Sequence, residues 1–368
     1  MIHGSLYLPI FIYSVIILTV ILCNKVKKES FCELSNDSNS FLPALILMVV
    51  MAYFIGQRPY KSGDFGDSTL YAWMYHLYYV GFKVPQNFGE SEWLWHQFMY
   101  WCTHRMEVTT YFTIIEFLYF GFTLWACRRF TPKHTYISFL FCLAGLSFFS
   151  YGVNGIRNGM ACSIVLLMLS YLIGSKKEQI VAIVLAFAAI SIHKSTTLPI
   201  SMAILSVYCI KSFRTAYTFW ALSIVLSLIL GNTISNFFVN FGFDDRMASY
   251  SLTGSDGVYT NTGFRWDFLI YSMMPILLGY YIVIKNGIRD RKYEILLNTY
   301  TLANAFWVMV IRASYSNRFA YLSWFMYPIV LAYPLLKLEI WGEEQGKYLR
   351  QIMLAHVGFT WFMNTFYW

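Results

Sequence analysis

The sequence is poor in charged residues. Asp, Glu, Lys and Arg make up only 12% of its 368 residues, whereas a soluble domain carries about 25%. Hydrophobic residues make up 58% of the chain, and its mean hydropathy is +0.50. So few polar groups cannot cover the apolar surface of a chain in water, and lipid is the expected surrounding. The composition therefore predicts an integral membrane protein.

The chain also lacks the patterns of metal sites, disulfide frameworks and nucleotide sites. Its seven cysteines have no paired or metal-ligand spacing, and most lie in apolar runs, where Cys behaves as a small hydrophobe. There is no P-loop, no Gly-x-Ser-x-Gly elbow and no Asp-x-Asp signature. Glu92, His96 and His104 can be drawn as a metal site, but Trp93 and Trp95 favour an interfacial helix there. We predict no metal and no cofactor.

The apolar residues form runs long enough to cross a membrane, which takes about 20 residues. The predicted spans are 6–23, 41–57, 108–127, 135–152, 156–174, 180–193, 195–210, 216–233, 267–284, 293–311, 319–336 and 351–367. We expect one integral domain over residues 1–368, all α-helical, with about twelve transmembrane helices. The first run has no cleavage signal and is expected to be a retained anchor.

Lys and Arg are divided unevenly between the predicted loops. If the N-terminus lies outside, 17 of the 27 Lys and Arg residues fall in the inside loops, and every inside loop contains at least two of them. Cytoplasmic loops are enriched in Lys and Arg. This uneven distribution therefore predicts that the long segments 58–107 and 234–266 lie outside. The net charge of +8 is then explained without nucleic acid. Aromatic residues at helical spacing in 58–107 predict helices that lie in the membrane interface.

Five cations on the outer side sit at or beside the end of an apolar span. They are Arg58, Arg157, Lys194, Arg312 and Arg318. Snorkelling to the headgroups explains any single one about as well as a function does. As a set they are expected to converge at one face, where the planar fork of arginine matches phosphate oxygens two at a time. The set predicts a site for a lipid-linked diphosphate.

Two aspartates and a tyrosine follow Arg58. Asp64 and Asp67 lie in a stretch that contains Gly63 and Gly66, and Tyr71 comes one helical turn after Asp67. Helix capping explains one aspartate but not the whole array. We interpret these residues as part of the same outer site.

Three further polar residues mark this site. Glu116 lies inside the third span, where a carboxylate indicates either a function or a structural pair with an arginine such as Arg157. Asn154 precedes Arg157 in a short outside turn. His193 is either an interfacial residue or a general base, because an imidazole beside Lys194 is expected to be largely neutral.

At these residues the sequence resembles the EpsG/Wzy group of bacterial polysaccharide polymerases. The matching pieces are Arg58 with Gly63-Asp64, Asp67 and Tyr71; Asn154-Gly155-Ile156-Arg157 with Asn158-Gly159; Ile192-His193-Lys194-Ser195; and Asn317-Arg318 with Tyr321. The family often has Gln where this chain has Asn158, and either aspartate can correspond to the family's single one.

The resemblance implies a membrane glycosyltransferase of the GT-C type, by analogy of fold alone. It would join undecaprenyl-diphosphate-linked oligosaccharide repeat units on the periplasmic face of the bacterial inner membrane, for O-antigen, capsule or exopolysaccharide. Arginines would stabilise the leaving diphosphate without a metal, and His193, Asp64 and Asp67 are the candidate bases. Membrane lipids and a chain-length regulator are the further expected partners.

Two other classes of protein fit parts of the sequence. A flippase of lipid-linked glycans can have as many spans, but it would place charges along a path through the membrane and show internal repeats. An acyltransferase acting on polysaccharide could use His193, but no route for an acyl donor is evident in the sequence.

Overall fold

The computed structural model describes residues 2–36, 41–60, 64–85, 92–240, 263–312 and 316–367. All regular secondary structure in these ranges is helical. Contacts divide the chain into a first unit, Met1–Thr196 with Ala332–Trp368, and a second unit, Thr197–Leu331. Most of the predicted outer segment 234–266 lies outside the described residues.

The helices of the first unit include both long apolar helices and short ones. They are α1 (Tyr7–Val26), α2 (Phe31–Asn36), α3 (Phe41–Gly56), α4 (Gly66–Tyr79), α5 (Trp93–Thr103), α6 (Val108–Phe130), α7 (Thr135–Leu143), α8 (Phe148–Val153), α9 (Ile156–Leu172) and α10 (Lys176–Ile192). The second unit contains α11 (Thr197–Tyr208), α12 (Phe213–Asn240), α13 (Trp266–Gly279), α14 (Arg291–Met309) and α15 (Ser316–Trp324). The second unit ends within α16 (Tyr327–Lys337), and α17 (Gln345–Phe362) belongs to the first.

Every predicted span coincides with helix, but two spans are broken. The run at 135–152 is divided into α7 and α8, and the run at 319–336 is divided into α15 and α16. Among the described residues, five helical stretches are long and apolar enough to cross a membrane: Gly4–Val26, Val108–Phe130, Phe213–Gly231, Trp266–Lys285 and Ser316–Lys337. Two shorter apolar helices are Phe41–Gly56 and Ile156–Leu172. The chain is thus a multi-pass membrane protein whose described part is all-helical, while twelve crossings and a GT-C fold remain predictions.

The centre of the first unit is α9, which packs between α6 and α10. Its side chains are buried around most of its circumference, as expected for a helix that is apolar on all faces. On the other side of α6, α3 approaches closely at Gly56, where a Cβ atom would lie 2.6 Å from the Cα atom of Thr113. These contacts hold the ends of α3, α6 and α9 in a fixed arrangement.

In the second unit, α14 packs against α11, α12, α13 and α15. Its buried Asn304 accepts a hydrogen bond from Nε1 of Trp220 at 2.9 Å and donates one to Ser323 at 3.1 Å. Such hydrogen bonds between helices stabilise packing where water is absent. Next to it, α13 contains Pro275 and continues into a π-helix, Tyr280–Lys285.

Candidate active site

A buried carboxylate in the first unit joins an arginine and a histidine. Glu92 accepts from Nη1 of Arg157 through one oxygen and contacts Nδ1 of His193 through the other. The side chains of Glu92, Arg157 and His193 are 12%, 9% and 16% exposed. We call these three residues the Glu92 cluster. It brings together three segments that are far apart in the sequence.

Local backbone geometry places each member of the Glu92 cluster. Arg157 lies in the first turn of α9, directly after the turn that ends α8. That turn is tight because position 159 is glycine: a Cβ atom there would lie 2.5 Å from the carbonyl oxygen of Tyr151. His193 is the C-cap of α10 with an extended backbone, φ −150° and ψ 110°. The extended conformation ends the helix at the histidine.

Glu92 itself has an uncommon backbone. Its φ of 62° lies in the left-handed region, where non-glycine residues are rare. It immediately precedes α5, so this conformation sets the start of that helix and the direction of the carboxylate. Residues held in sparsely populated conformations concentrate at functional sites. The backbone of Glu92 therefore supports a functional role for this residue.

The charges in the Glu92 cluster are coupled. Burial alone would raise the pKa of Glu92, but the His193 hydrogen bond and the Arg157 charge outweigh burial and lower that pKa below its ordinary 4.5. Glu92 is therefore ionised at neutral pH. Burial and the Arg157 charge lower the pKa of the neighbouring His96, whose Nδ1 lies 2.8 Å from the hydroxyl of Tyr78. The positive charge of Arg157 thus acts on both Glu92 and His96.

Two polar atoms of the turn Asn154–Arg157 have no hydrogen-bond partner among the described residues. They are Nε of Arg157 and Oδ1 of Asn154, and both are buried. Most buried polar atoms in proteins are hydrogen-bonded, so an unpaired donor and acceptor in one turn indicate a place for a polar ligand. Nε of Arg157 is therefore a donor that Glu92 does not use, because Glu92 contacts Nη1.

A second buried ion pair lies nearby in the same unit. Arg58, 1% exposed, directs Nη1 to Oε1 of Glu116 at 2.9 Å, and its guanidinium lies 4.7 Å from the ring centroid of Phe112. Glu116 contacts Arg58 rather than Arg157, the arginine that the sequence suggested. Nε of Arg58 donates to Ser68 at 3.0 Å, and Ser68 donates to the carbonyl oxygen of Val153.

The Arg58–Glu116 pair therefore supports the turn that carries Asn154 and Arg157. It joins the end of α3 to α6, and through Ser68 it joins α4 to the last residue of α8. Nε and Nη1 of Arg58 contact protein groups, whereas its buried Nη2 has no hydrogen-bond partner among the described residues. The diphosphate-binding role predicted for Arg58 and Glu116 stays a prediction.

The aspartates and Tyr71 occupy α4 and the residues before it. Asp64 is exposed, and its carboxylate lies against Gly4. Asp67 is in the first turn of α4, where no side chain caps the helix. The ring of Tyr71 contacts Trp95 at a centroid distance of 5.6 Å. None of the contacts described for these residues reaches the Glu92 cluster.

The remaining predicted cations are distributed over both units. Lys194 is exposed and directly follows His193 in the short helix Lys194–Thr196. Arg312 belongs to the second unit, where a Cβ atom on Gly231 would lie 2.8 Å from its Nε atom. Arg318 lies in α15 of the same unit. Convergence of these two arginines with Arg157 remains a prediction.

The residues drawn as a metal site in the sequence have other partners. His96 contacts Tyr78, and His104 contacts the hydroxyl of Thr103 at 2.8 Å. Within the described part of the chain, no group of three or more His, Cys, Asp and Glu side chains is arranged to hold a metal. Glu92 instead forms an ion pair with Arg157 and contacts His193.

Glu92 is the site residue that sequence reasoning missed. The sequence suggests it only as a metal ligand, and no local motif links it to His193, 101 residues later. Its one sequence signal is an acidic residue next to an aromatic-rich segment in the predicted outer region. Sequence reasoning also missed Ser68, which joins Arg58 to the turn.

Comparison with known proteins identifies a family. A sequence model of the EpsG family matches residues 41–366. No curated protein and no solved structure matches the chain. The matched region contains all of the residues that form the Glu92 cluster and the Arg58–Glu116 pair.

Proposed function

Because the chain belongs to the EpsG family, we propose that it is a polysaccharide polymerase that joins oligosaccharide repeat units carried on undecaprenyl diphosphate. Family membership supports a glycosyltransferase-type polymerase role in general terms. The observation that carries the specific proposal is the Glu92 cluster, which combines a histidine, a carboxylate and an arginine with a spare donor.

The reaction is a displacement at the anomeric carbon of the donor glycan. A hydroxyl at the non-reducing end of the acceptor forms the new glycosidic C–O bond. The C–O bond to the diphosphate breaks, and the lipid diphosphate leaves with the bonding electrons. The hydroxyl proton passes to a base, for which we propose Nε2 of His193.

Glu92 prepares His193 for this role. A carboxylate at Nδ1 holds the proton on that nitrogen, leaves Nε2 as the basic atom, and stabilises the imidazolium once it forms. The hydrogen bond to His193 and the charge of Arg157 together lower the pKa of the carboxyl and keep it ionised. Asp64 and Asp67 are the alternative bases or contacts for acceptor hydroxyls, because both lie on the predicted outer segment.

Arg157 also supplies charge for the leaving group. Its buried Nε, which has no partner among the described residues, is available to a phosphate oxygen, and Asn154 in the same turn is available to a donor. From their positions at span ends in the sequence, we propose that Lys194, Arg312 and Arg318 also bind the diphosphate. Fixed positive charges in a water-poor site stabilise developing negative charge, so the proposed reaction is metal-independent.

We further propose that this site faces the periplasm of the bacterial inner membrane, because the inside loops carry most of the Lys and Arg residues. The lipid-linked repeat units would reach it by diffusion in the outer leaflet. A chain-length regulator is the expected protein partner.

The test uses purified full-length protein in lipid nanodiscs with a synthetic undecaprenyl-diphosphate-linked repeat unit. We expect a ladder of oligomers on a gel, with the same yield after treatment with EDTA. A matched control substrate replaces the bridging oxygen of the sugar phosphate with a methylene group, which prevents departure of the diphosphate, and should give no ladder when it is the only donor. Movement of the lipid-linked unit across vesicles without oligomers would instead support a flippase.

A further inference from the structure

A concave surface lies in the first unit, and no residue of the Glu92 cluster lines it. It is a cleft of about 590 Å³ between α4 and the segment that joins α5 to α6. Its volume falls in the range of about 300–1,000 Å³ that is usual for small-molecule sites. The residues that matter for its chemistry are Tyr60, Thr69, Trp73, His76, Tyr79 and Glu107. We call it the α4 cleft.

The two faces of α4 have different surroundings. Thr69, Trp73, His76 and Tyr79 recur at helical spacing and line the α4 cleft. On the opposite face, the hydroxyl of Tyr78 contacts His96, on which the Arg157 charge acts. One helix therefore separates the α4 cleft from Tyr78 and His96, which lie beside the candidate active site.

The lining of the α4 cleft combines flat aromatic faces with hydrogen-bonding groups. Trp73 is 58% exposed, and Tyr79 is 59% exposed. His76 and the exposed carboxylate of Glu107 add polar groups at the rim of these rings. Aromatic faces carry partial negative charge and attract the polarised C–H groups of a sugar ring, while a carboxylate accepts hydrogen bonds from hydroxyls.

This combination suits a sugar better than a lipid chain. An acyl chain offers no donor to the Glu107 carboxylate, and placing a charged group against hydrocarbon is costly. A saccharide presents C–H groups on one face and hydroxyls at its edges, so it satisfies both the rings and the carboxylate.

We infer that the α4 cleft binds a stretch of the saccharide chain, with Trp73 and Tyr79 stacking on sugar rings and Glu107 accepting from hydroxyls. The inference rests on the proposed function for the identity of the glycan. The cleft holds part of the polymer next to the candidate active site between successive transfers, so that longer chains stay bound.

The direct test measures binding of free oligosaccharides to the full-length protein in nanodiscs. The probes are fragments of one to four repeat units, released by mild acid from the polysaccharide of the source cells. Isothermal titration should show affinity that rises with fragment length. Loss of one stacking ring should weaken binding of the longest fragment about three- to tenfold in Trp73→Ala, and Trp73→Phe should restore most of it.

Two further variants sharpen this test. Glu107→Gln keeps the shape of the side chain and removes its charge, so it should weaken binding by a similar factor. Trp101→Ala is the matched control, because Trp101 is 50% exposed in the same unit and stacks with Arg105 outside the cleft. It should bind like the wild-type protein. Elution as a single symmetric peak in size-exclusion chromatography checks that each variant is folded.

The outcomes separate the inference from the proposed function. Unchanged oligosaccharide binding in both Trp73→Ala and Glu107→Gln overturns the inference, and altered retention of co-purified lipid in those variants would assign the cleft to lipid instead. If the wild-type protein makes a ladder and Trp73→Ala makes a shorter one with a normal first transfer, the inference is supported. Fragment binding that depends on Trp73 without any ladder from the wild-type protein would overturn the proposed function and leave the saccharide cleft standing.

Discussion

The Arg58–Glu116 pair gives a stability prediction with a direction and a size. Both side chains are fully buried, and the pair joins α3 to α6. Glu116→Leu leaves the Arg58 guanidinium buried without its counter-ion. Arg58→Met leaves the Glu116 carboxyl alone, and a carboxyl can take up a proton and become neutral, whereas a guanidinium stays charged. The two single variants should therefore differ.

Removing one partner of a buried pair costs about 3–5 kcal/mol, and we expect Glu116→Leu to lie in that range. Arg58→Met should cost less, because the carboxyl can neutralise itself, although it also loses the hydrogen bond to Ser68, worth about 1 kcal/mol. In the double variant no charge remains, and replacement of a buried pair by apolar groups of similar volume is often neutral. The double variant should be more stable than Glu116→Leu.

Each variant is heated in detergent, and fluorescence-detected size-exclusion chromatography then measures the fraction of protein that stays monodisperse. The expected order of stability is wild type, double variant, Arg58→Met, then Glu116→Leu, with the first two close together. A matched surface control is Lys347→Met with Glu344→Leu, an exposed pair that should change little. Additive losses in the double variant at Arg58 and Glu116 would refute the reasoning, because they would show that the two charges do not interact.

Three further predictions concern charge and topology. Arg157→Lys keeps the charge but loses the planar fork, so polymer formation should fall about tenfold or more in a folded protein; full polymer length would mean that this arginine only shapes the turn. The lowered pKa of Glu92 means that its ion pair stabilises the protein fully above the ordinary pKa of 4.5 and loses this contribution as the pH falls through the lower folded value. The difference in heat stability between the wild type and Glu92→Gln should thus be largest at pH 7 and should shrink below pH 4.5. A difference that does not change with pH would contradict the ion pair. A reporter fused after Arg129 should report cytoplasm and one inserted within 64–85 periplasm, and a cytoplasmic signal from 64–85 would overturn the orientation.

The helices were predictable because their physical cause is local. A run of apolar residues of spanning length is visible in the sequence, and each predicted run coincides with helix. The breaks between α7 and α8, and between α15 and α16, were not visible, because hydropathy stays high across residues 144–147 and Phe325–Met326. A break in a helix depends on how its ends pack, which composition alone does not report.

The candidate site was predictable only where short motifs carry it. Arg157 and His193 were identified from their positions at span ends, and the structure joins them through Glu92. The partner of each charge was not predictable, since Arg58 finds Glu116 across 58 residues of sequence and His193 finds Glu92 across 101. Such pairings follow from tertiary packing of separate helices.

The central claim is that His193, held by Glu92, is the base of a polymerase. The most direct test is the rate of the first transfer in a single turnover, at saturating acceptor, for the wild type, His193→Ala, Asp64→Asn and Asp67→Asn. A positioned base contributes about 10²–10⁴-fold, so His193→Ala should lose that factor while lipid-linked single units still bind, and the Asn variants should mainly weaken acceptor binding. Near-normal turnover in His193→Ala together with an inactive Asp64→Asn or Asp67→Asn would contradict the claim and move the base to that aspartate.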